Sequence, residues 1–226
     1  MKIAVVGTGF AGRTLAGGLA ELGHQVTIGT RDVAETLART KADVMGNVAY
    51  PVWAETHPHI GLAPFAEAGA GADFFVNAAS GAASIAALTA TGAENLAGKV
   101  LLDISNPLDF KNGFPPNLFV KDTDSLGEQI QREFPEARVV KSLNTMVGNL
   151  FVTPKAVADG DSTVFVSGDD ADAKRIVTEL LASFGWNDVI DLGGIATARA
   201  TEMMVQVRLL TMTSIGTPMF NFKIAR

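Results

Sequence analysis

The chain has 226 residues, 47% of them hydrophobic and 19% charged, a formal net charge of −6 and no cysteine. That length allows one full core with a smaller appended lobe, and the apolar share excludes a disordered chain. The acidic balance argues against nucleic acid or an anionic membrane as main partner, and the missing cysteines exclude disulfides, thiolate nucleophiles and cysteine metal sites.

In chain order, Lys2-Ile3-Ala4-Val5-Val6 reads as a short strand buried on both faces of a parallel sheet. Gly7-Thr8-Gly9-Phe10-Ala11-Gly12 follows at once. Arg13 to Leu22 then carries Leu15, Leu19 and Leu22 at helical spacing, Gly23 closes that helix, and Val26-Thr27-Ile28 is a second strand. A G-x-G-x-x-G inside a complete strand-turn-helix-strand unit is the pattern of a dinucleotide site. Gly7 permits the tight turn, Gly9 lets backbone approach a pyrophosphate, and Gly12 lets the helix pack on the sheet. The free N–H groups that open the helix would hold the phosphate charge. An NAD site usually ends its second strand in a carboxylate that accepts from the ribose 2′-OH. Gly29-Thr30-Arg31 stands there instead. A hydroxyl and a guanidinium suit a 2′-phosphate, so NADP(H) is the expected cofactor. Asp32 either pairs with Arg31 or opens the next helix.

Val33 to Thr40 reads as a short helix, and Lys41 to Pro64 as an irregular stretch punctuated by Gly and Pro. His57 and His59 flank Pro58 there without a partner cluster, so no metal is expected. A helix over Phe65–Ala70 and a strand over Asp73–Ala78 follow. That strand leads into Ala78-Ala79-Ser80, residues small enough for a cofactor to lie close to backbone. Ser84–Leu96 reads as a helix and Lys99–Ile104 as a strand that runs into Asn106-Pro107. Asn106 either faces the nicotinamide or ribose, or simply forms the turn before Pro107. The Pro-, Gly- and Asn-rich loop from Asp109 to Thr123 borders the substrate side. Asp124 or Ser125 caps a helix reaching Phe134. A strand over Ala137–Leu143 ends in Asn144-Thr145, polar residues expected near the nicotinamide.

Ser162–Val166 and Val189–Leu192 read as strands around an amphipathic helix at Ala171–Phe184, with Asp169 and Asp170 as caps. Ala196–Ser214 is a long helix carrying Met203, Met204, Val207, Leu210 and Met212. Such a stripe is usually core, although it also suits an adaptable wall or a dimer face. Phe220–Ile224 alternates like a final edge strand. No apolar run is long enough to span a bilayer, and the first residues pass straight into a strand, so a cytoplasmic protein is expected.

The chain resembles the coenzyme F420-dependent NADP oxidoreductases and, with them, the cytoplasmic domain of the STEAP metalloreductases. The resemblance rests on GTGFAGRTLAGGLAELGHQVTIGTRD from Gly7, KSLNT at Lys141–Thr145, VSGDDADAKRIVTELLASFGW at Val166–Trp186 and DLGGIATARATE at Asp191–Glu202. It implies an α/β fold: a Rossmann-type doubly wound parallel sheet with a small C-terminal α+β lobe, in a homodimer. Residues 1–150 would bind NADP(H) and 151–226 would close the acceptor cleft. The cofactor would lie on Gly7–Gly12, with its 2′-phosphate at Thr30 and Arg31, and F420 or a flavin would stack over the nicotinamide. Where F420-using members carry His, this chain has Asn144.

Hydride transfer between two redox cofactors needs positioning rather than acid–base work, which suits a chain with three His and no obvious catalytic pair. Hydride transfer between NADPH and F420 or a flavin-like small molecule is therefore the leading expectation. A small-substrate dehydrogenase or imine reductase is the second. It would need a proton relay, with Asn144 and Thr145 able to polarise a carbonyl and Lys141 or Lys121 as the acid, though nothing in their spacing singles them out. A non-catalytic NADP(H) sensor is the third.

Overall fold

A computed structural model describes residues 1–43 and 46–226. The first unit is β1 (Lys2–Val6), α1 (Phe10–Glu21) and β2 (Gln25–Thr30), followed by α2 (Val33–Leu37), α3 (Tyr50–Glu55), β3 (Gly61–Pro64) and α4 (Phe65–Gly69). Then come β4 (Phe74–Asn77), α5 (Gly81–Thr91), α6 (Ala93–Leu96) and β5 (Val100–Asp103). A two-stranded hairpin, β6 (Leu108–Asp109) and β7 (Asn117–Leu118), precedes α7 (Leu126–Glu133) and β8 (Arg138–Ser142). The chain continues through α8 (Asn149–Val152), β9 (Thr163–Ser167), α9 (Ala171–Phe184), β10 (Asp188–Asp191) and α10 (Ala198–Ile215).

Eight strands form one sheet in the order β10-β9-β8-β5-β4-β1-β2-β3, parallel throughout except for the β8–β9 pair. Alternate residues of one strand enter opposite cores. Ile3 and Val5 join α1, α8 and α9 on one face, whereas Ala4 and Val6 join α5, α7 and the start of α10 on the other. Side chains on a pleated strand point to opposite faces, so this double burial is what makes the strands near-continuously apolar. The fold is Rossmann-type α/β, with two C-terminal strands on the same sheet and a long C-terminal helix.

The irregular stretch read over residues 41–64 contains α3 and β3, while residues 44 and 45 lie outside the described part. Gly61-Leu62-Ala63-Pro64 is no obvious strand by composition; it forms by pairing with β2, from Thr27↔Gly61 to Thr30↔Pro64. Pro is tolerated because β3 is the sheet edge. The helix expected over 84–96 begins earlier, at Gly81, and is interrupted at Gly92, whose φ of +97° suits glycine. Asp170 and Ser125 cap their helices, accepting from Ala173 N and Glu128 N. Asp32 caps α2 in the same way.

Two expectations need correction. Phe220–Ile224 does not form a strand. It runs beside β9, where Thr163 N donates to Phe222 O, but the next link is Ile224 N to the Thr163 hydroxyl, so no ladder propagates. Asp188 fastens this tail through Lys223 and Arg226, and the Thr163 hydroxyl bond with those cations holds its carboxyl near about 2. Nor is the Met-rich stripe core in the isolated chain: Met203, Val207, Leu210 and Ile215 are exposed. The buried face of α10 is carried by Ala198, Thr201, Glu202, Val205 and Arg208.

Candidate functional site

The carboxyl ends of the parallel strands open on one crevice. The chain leaves β1 toward β2 and β3 on one side, then returns to β4 on the other, which makes β1/β4 the topological switch point. Gly7 ends β1 with φ +120°, and a Cβ there would lie 2.7 Å from Ala78 O. Gly12 is as constrained, since its Cβ would run into Gly7 O. Gly9 differs. It is extended, it caps α1 without a side-chain bond, and a Cβ on it would meet no described atom within 4 Å. The loop therefore bends because of Gly7, packs because of Gly12, and offers bare backbone at Gly9. Phe10 turns its ring toward Gly148, tying this loop to the segment after β8.

A groove of about 390 Å³ runs along Gly7–Gly9, the β2 end at Gly29–Arg31 and the β4 end at Ala78–Ser80. The Thr30 hydroxyl is buried, 2.8 Å from that of Thr36. Arg31 projects into solvent, 82% exposed, 3.8 Å from Glu35. A second cation lines the groove that motif reading did not single out. Arg39 donates through Nη1 to the Thr8 hydroxyl (3.0 Å), and its Nη2 lies 3.4 Å from Glu35. The spacing Arg31, Glu35, Arg39 was the available signal: Glu35 lies within α2, and the arginines four residues to either side flank that short helix and fold back onto it.

Beyond Gly9 the groove continues into a space of about 440 Å³ over Phe10, Ala11, Ser80, Ile104 and Asn106. That space shares Gly81, Ala82, Leu108 and Phe110 with a cavity of about 570 Å³ between α5, the β6–β7 hairpin and α7. The cavity is lined mainly by Ile85, Leu108, Phe110, Phe119 and Leu126, with Asp109, Lys111 and Gln129 as its polar groups. Pro107 anchors the hairpin by accepting from Phe119 N.

Asn106 and Asn144 come together at the crevice floor. Asn106 Nδ2 donates to Asn144 O (2.8 Å), and Asn144 Nδ2 donates to Asn106 Oδ1 (2.9 Å). Thr145 is buried beside them, and the preceding Leu143 has φ +60°. A non-glycine residue in this left-handed region costs about 1–3 kcal/mol, and the reciprocal amide pair helps hold the turn.

Neither Lys141 nor Lys121, to which sequence left an acid role open, lines the groove or the spaces beyond it. Lys121 sits exposed on the loop before α7. Lys141 is fully buried between Asp103 (2.6 Å) and Glu202 (2.8 Å), and also donates to Ser105 O. Burial pushes its pKa down, but the two facing carboxylates outweigh that and hold it above the ordinary lysine value. Glu202 in turn accepts from Leu126 N and Gly127 N at the start of α7. No group of three or more potential metal ligands exists among the described residues. His57 instead stacks on Trp53 at 4.2 Å. No described helix is long and apolar enough to cross a membrane.

The family model for NADP oxidoreductases, coenzyme F420-dependent, matches residues 2–107. The chain is 60% identical, over the whole of both chains, to an Arthrobacter sp. FB24 protein of known crystal structure, provisionally assigned as an F420-dependent NADP-reductase; the TM-score is 0.96. The chain belongs to this family. It is an NADP-dependent oxidoreductase. Rat metalloreductase STEAP3 is 27% identical over 217 residues, 96% of this chain, and the chain spans 38% of that relative's length. A reductive aminase from Aspergillus terreus, solved with NADPH and ethyl levulinate, is 16% identical with a TM-score of 0.62 over 95% of this chain and 62% of its own, a likeness of fold alone.

Proposed function

We propose that this chain transfers hydride between NADP(H), lying along the groove, and F420 or a flavin-like acceptor seated in the apolar cavity beyond it. The observation that carries this reading is the continuity of the two spaces: the groove passes Ser80 and Asn106 into a cavity walled by Leu108, Phe110 and Phe119. Aromatic and aliphatic walls suit a planar ring system, with few polar groups needed to orient it. The bare backbone at Gly9, among Gly7, Thr8, Phe10, Ala11 and Gly12, would take the pyrophosphate. Thr30 and Arg31 would face the 2′-phosphate side, and Ala78, Ala79, Ser80, Asn106 and Pro107 would flank the nicotinamide. Asn144 and Thr145 would act beneath them by fixing the floor through the Asn106 pair. Bound NADPH supplies the hydride; residues 151–226 would support the acceptor side from behind α7, where Glu202 of α10 accepts from Leu126 N and Gly127 N.

Stopped-flow absorbance with NADPH against F420, FMN, FAD and a cyclic imine tests this reading. Fast oxidation of NADPH by F420 or a flavin is expected. Reaction with the imine alone would replace it by a small-substrate reductase, and bound NADPH without any transfer would leave only a sensor.

The exposed apolar stripe of α10 would form the homodimer face. Leu210→Glu is expected to shift a sedimenting dimer to monomer with the melting temperature of the isolated fold kept. A wild-type chain that sediments as a monomer at micromolar concentration would sink the dimer.

A further inference from the structure

We infer that Arg39 is the second cation of the 2′-phosphate site and that Glu35 occupies the phosphate's place until NADP(H) displaces it. The inference rests on the proposed cofactor orientation. Glu35 stands between two guanidinium groups, its Oε2 3.8 Å from Arg31 Nη2 and its Oε1 3.4 Å from Arg39 Nη2. Both arginines line the groove at the β2 end, and Arg39 is braced on the glycine-rich loop through Thr8. The Thr30 hydroxyl is engaged by Thr36, and the two arginines are the cations lining the groove there.

All three side chains are substantially exposed, so the carboxylate is held weakly and its displacement is cheap. A 2′-phosphate carries about −1.5 to −2 charge and three acceptor oxygens, more than one carboxylate can offer. It would therefore take both guanidinium forks, and Glu35, still beside them, would repel it. NADH has no such group and would leave the Arg31–Glu35–Arg39 ladder as it is. Glu35 thus sets how strongly the site prefers the phosphorylated cofactor.

Fluorescence titrations of NADPH and NADH against the full chain, at low and moderate salt, test this. Arg39→Ala is expected to weaken NADPH roughly tenfold and NADH less than twofold, with Arg39→Lys intermediate because it keeps charge but loses the fork. Glu35→Gln is expected to tighten NADPH roughly threefold to tenfold and leave NADH unchanged. Thermal melts of these surface variants should match wild type. Equal losses for both cofactors in Arg39→Ala would reduce Arg39 to a brace for Thr8, and weaker NADPH binding in Glu35→Gln would make Glu35 a positioner; either overturns the inference alone. A wild-type chain that binds NADH as tightly as NADPH, with Arg31→Ala neutral, would instead overturn the cofactor orientation on which it stands.

Discussion

Gly9→Val is expected to abolish detectable binding of NADPH and NADH alike, at least about a hundredfold for each, while the melting temperature stays near wild type. The two halves of this result have separate causes. Gly9 sits at φ −69° and ψ 172°, a conformation any residue adopts, and a Cβ there touches no described atom within 4 Å. The fold should lose only the weaker N-cap that Val makes at α1, about 1 kcal/mol. The cofactor should lose far more in the proposed orientation, because the side chain would fill the space the pyrophosphate would take against bare backbone, and a hundredfold loss is about 2.7 kcal/mol. Both cofactors share the pyrophosphate, so both should fail together. Gly12→Ala should behave in the opposite sense, since its Cβ would strike Gly7 O and the melting temperature should fall. Fluorescence titration beside differential scanning fluorimetry reads both effects. Normal binding by a folded Gly9→Val protein would place the dinucleotide elsewhere.

Lys141→Met should be the most destabilising single substitution of a polar residue. It would leave Asp103 and Glu202 buried with no cation between them. Removing one partner of a buried ion pair costs about 3–5 kcal/mol, which for a chain of this size lowers the melting temperature by about 10 °C or more. Part of the loss should return when Asp103→Asn is added, because the amide oxygen can still accept from Asn77 and Ser105 while one buried charge is removed. The pH dependence follows from the direction of the lysine shift. Burial opposes the charge, yet the two carboxylates win and raise the folded-state value above 10.5. A raised value means the stabilisation is complete below 10.5 and fades as pH climbs through the folded-state value. Wild type should therefore hold its stability to about pH 10 and lose some above it, while Lys141→Met should lack that alkaline decline. A variant that melts within about 2 °C of wild type would show that the ion cluster is dispensable.

Much of the fold was legible where local pattern and tertiary role agree. The strand over residues 2–6, its glycine turn and the following helix carry their own signals, and β1 and α1 lie where those signals place them. The edge strand β3 was not legible, because Gly61-Leu62-Ala63-Pro64 owes its conformation to a partner more than thirty residues earlier. Phe220–Ile224 fails in the reverse sense: it alternates like a strand, but two bonds at Thr163 replace the ladder. The antiparallel turn of β9 onto β8 left no mark in composition. At the site, Asn106 and Asn144 were each visible as polar residues after a strand, but their reciprocal bonds needed three dimensions. Lys141 carried a readable sign, a charge in the apolar run Val139-Val140-Lys141. Such a residue is expected to find carboxylates, and both lay far off in sequence.

The bond between Lys141 and Glu202 also places a condition on biosynthesis. A ribosome that has released everything through β9 has not yet delivered residue 202, so in that nascent chain the ammonium has Asp103 but lacks its second carboxylate, and the α7 amides of Leu126 and Gly127 lack their acceptor. The first half of the chain can be translated early, yet its interior reaches its final charge state only when a helix near the far end of the message arrives.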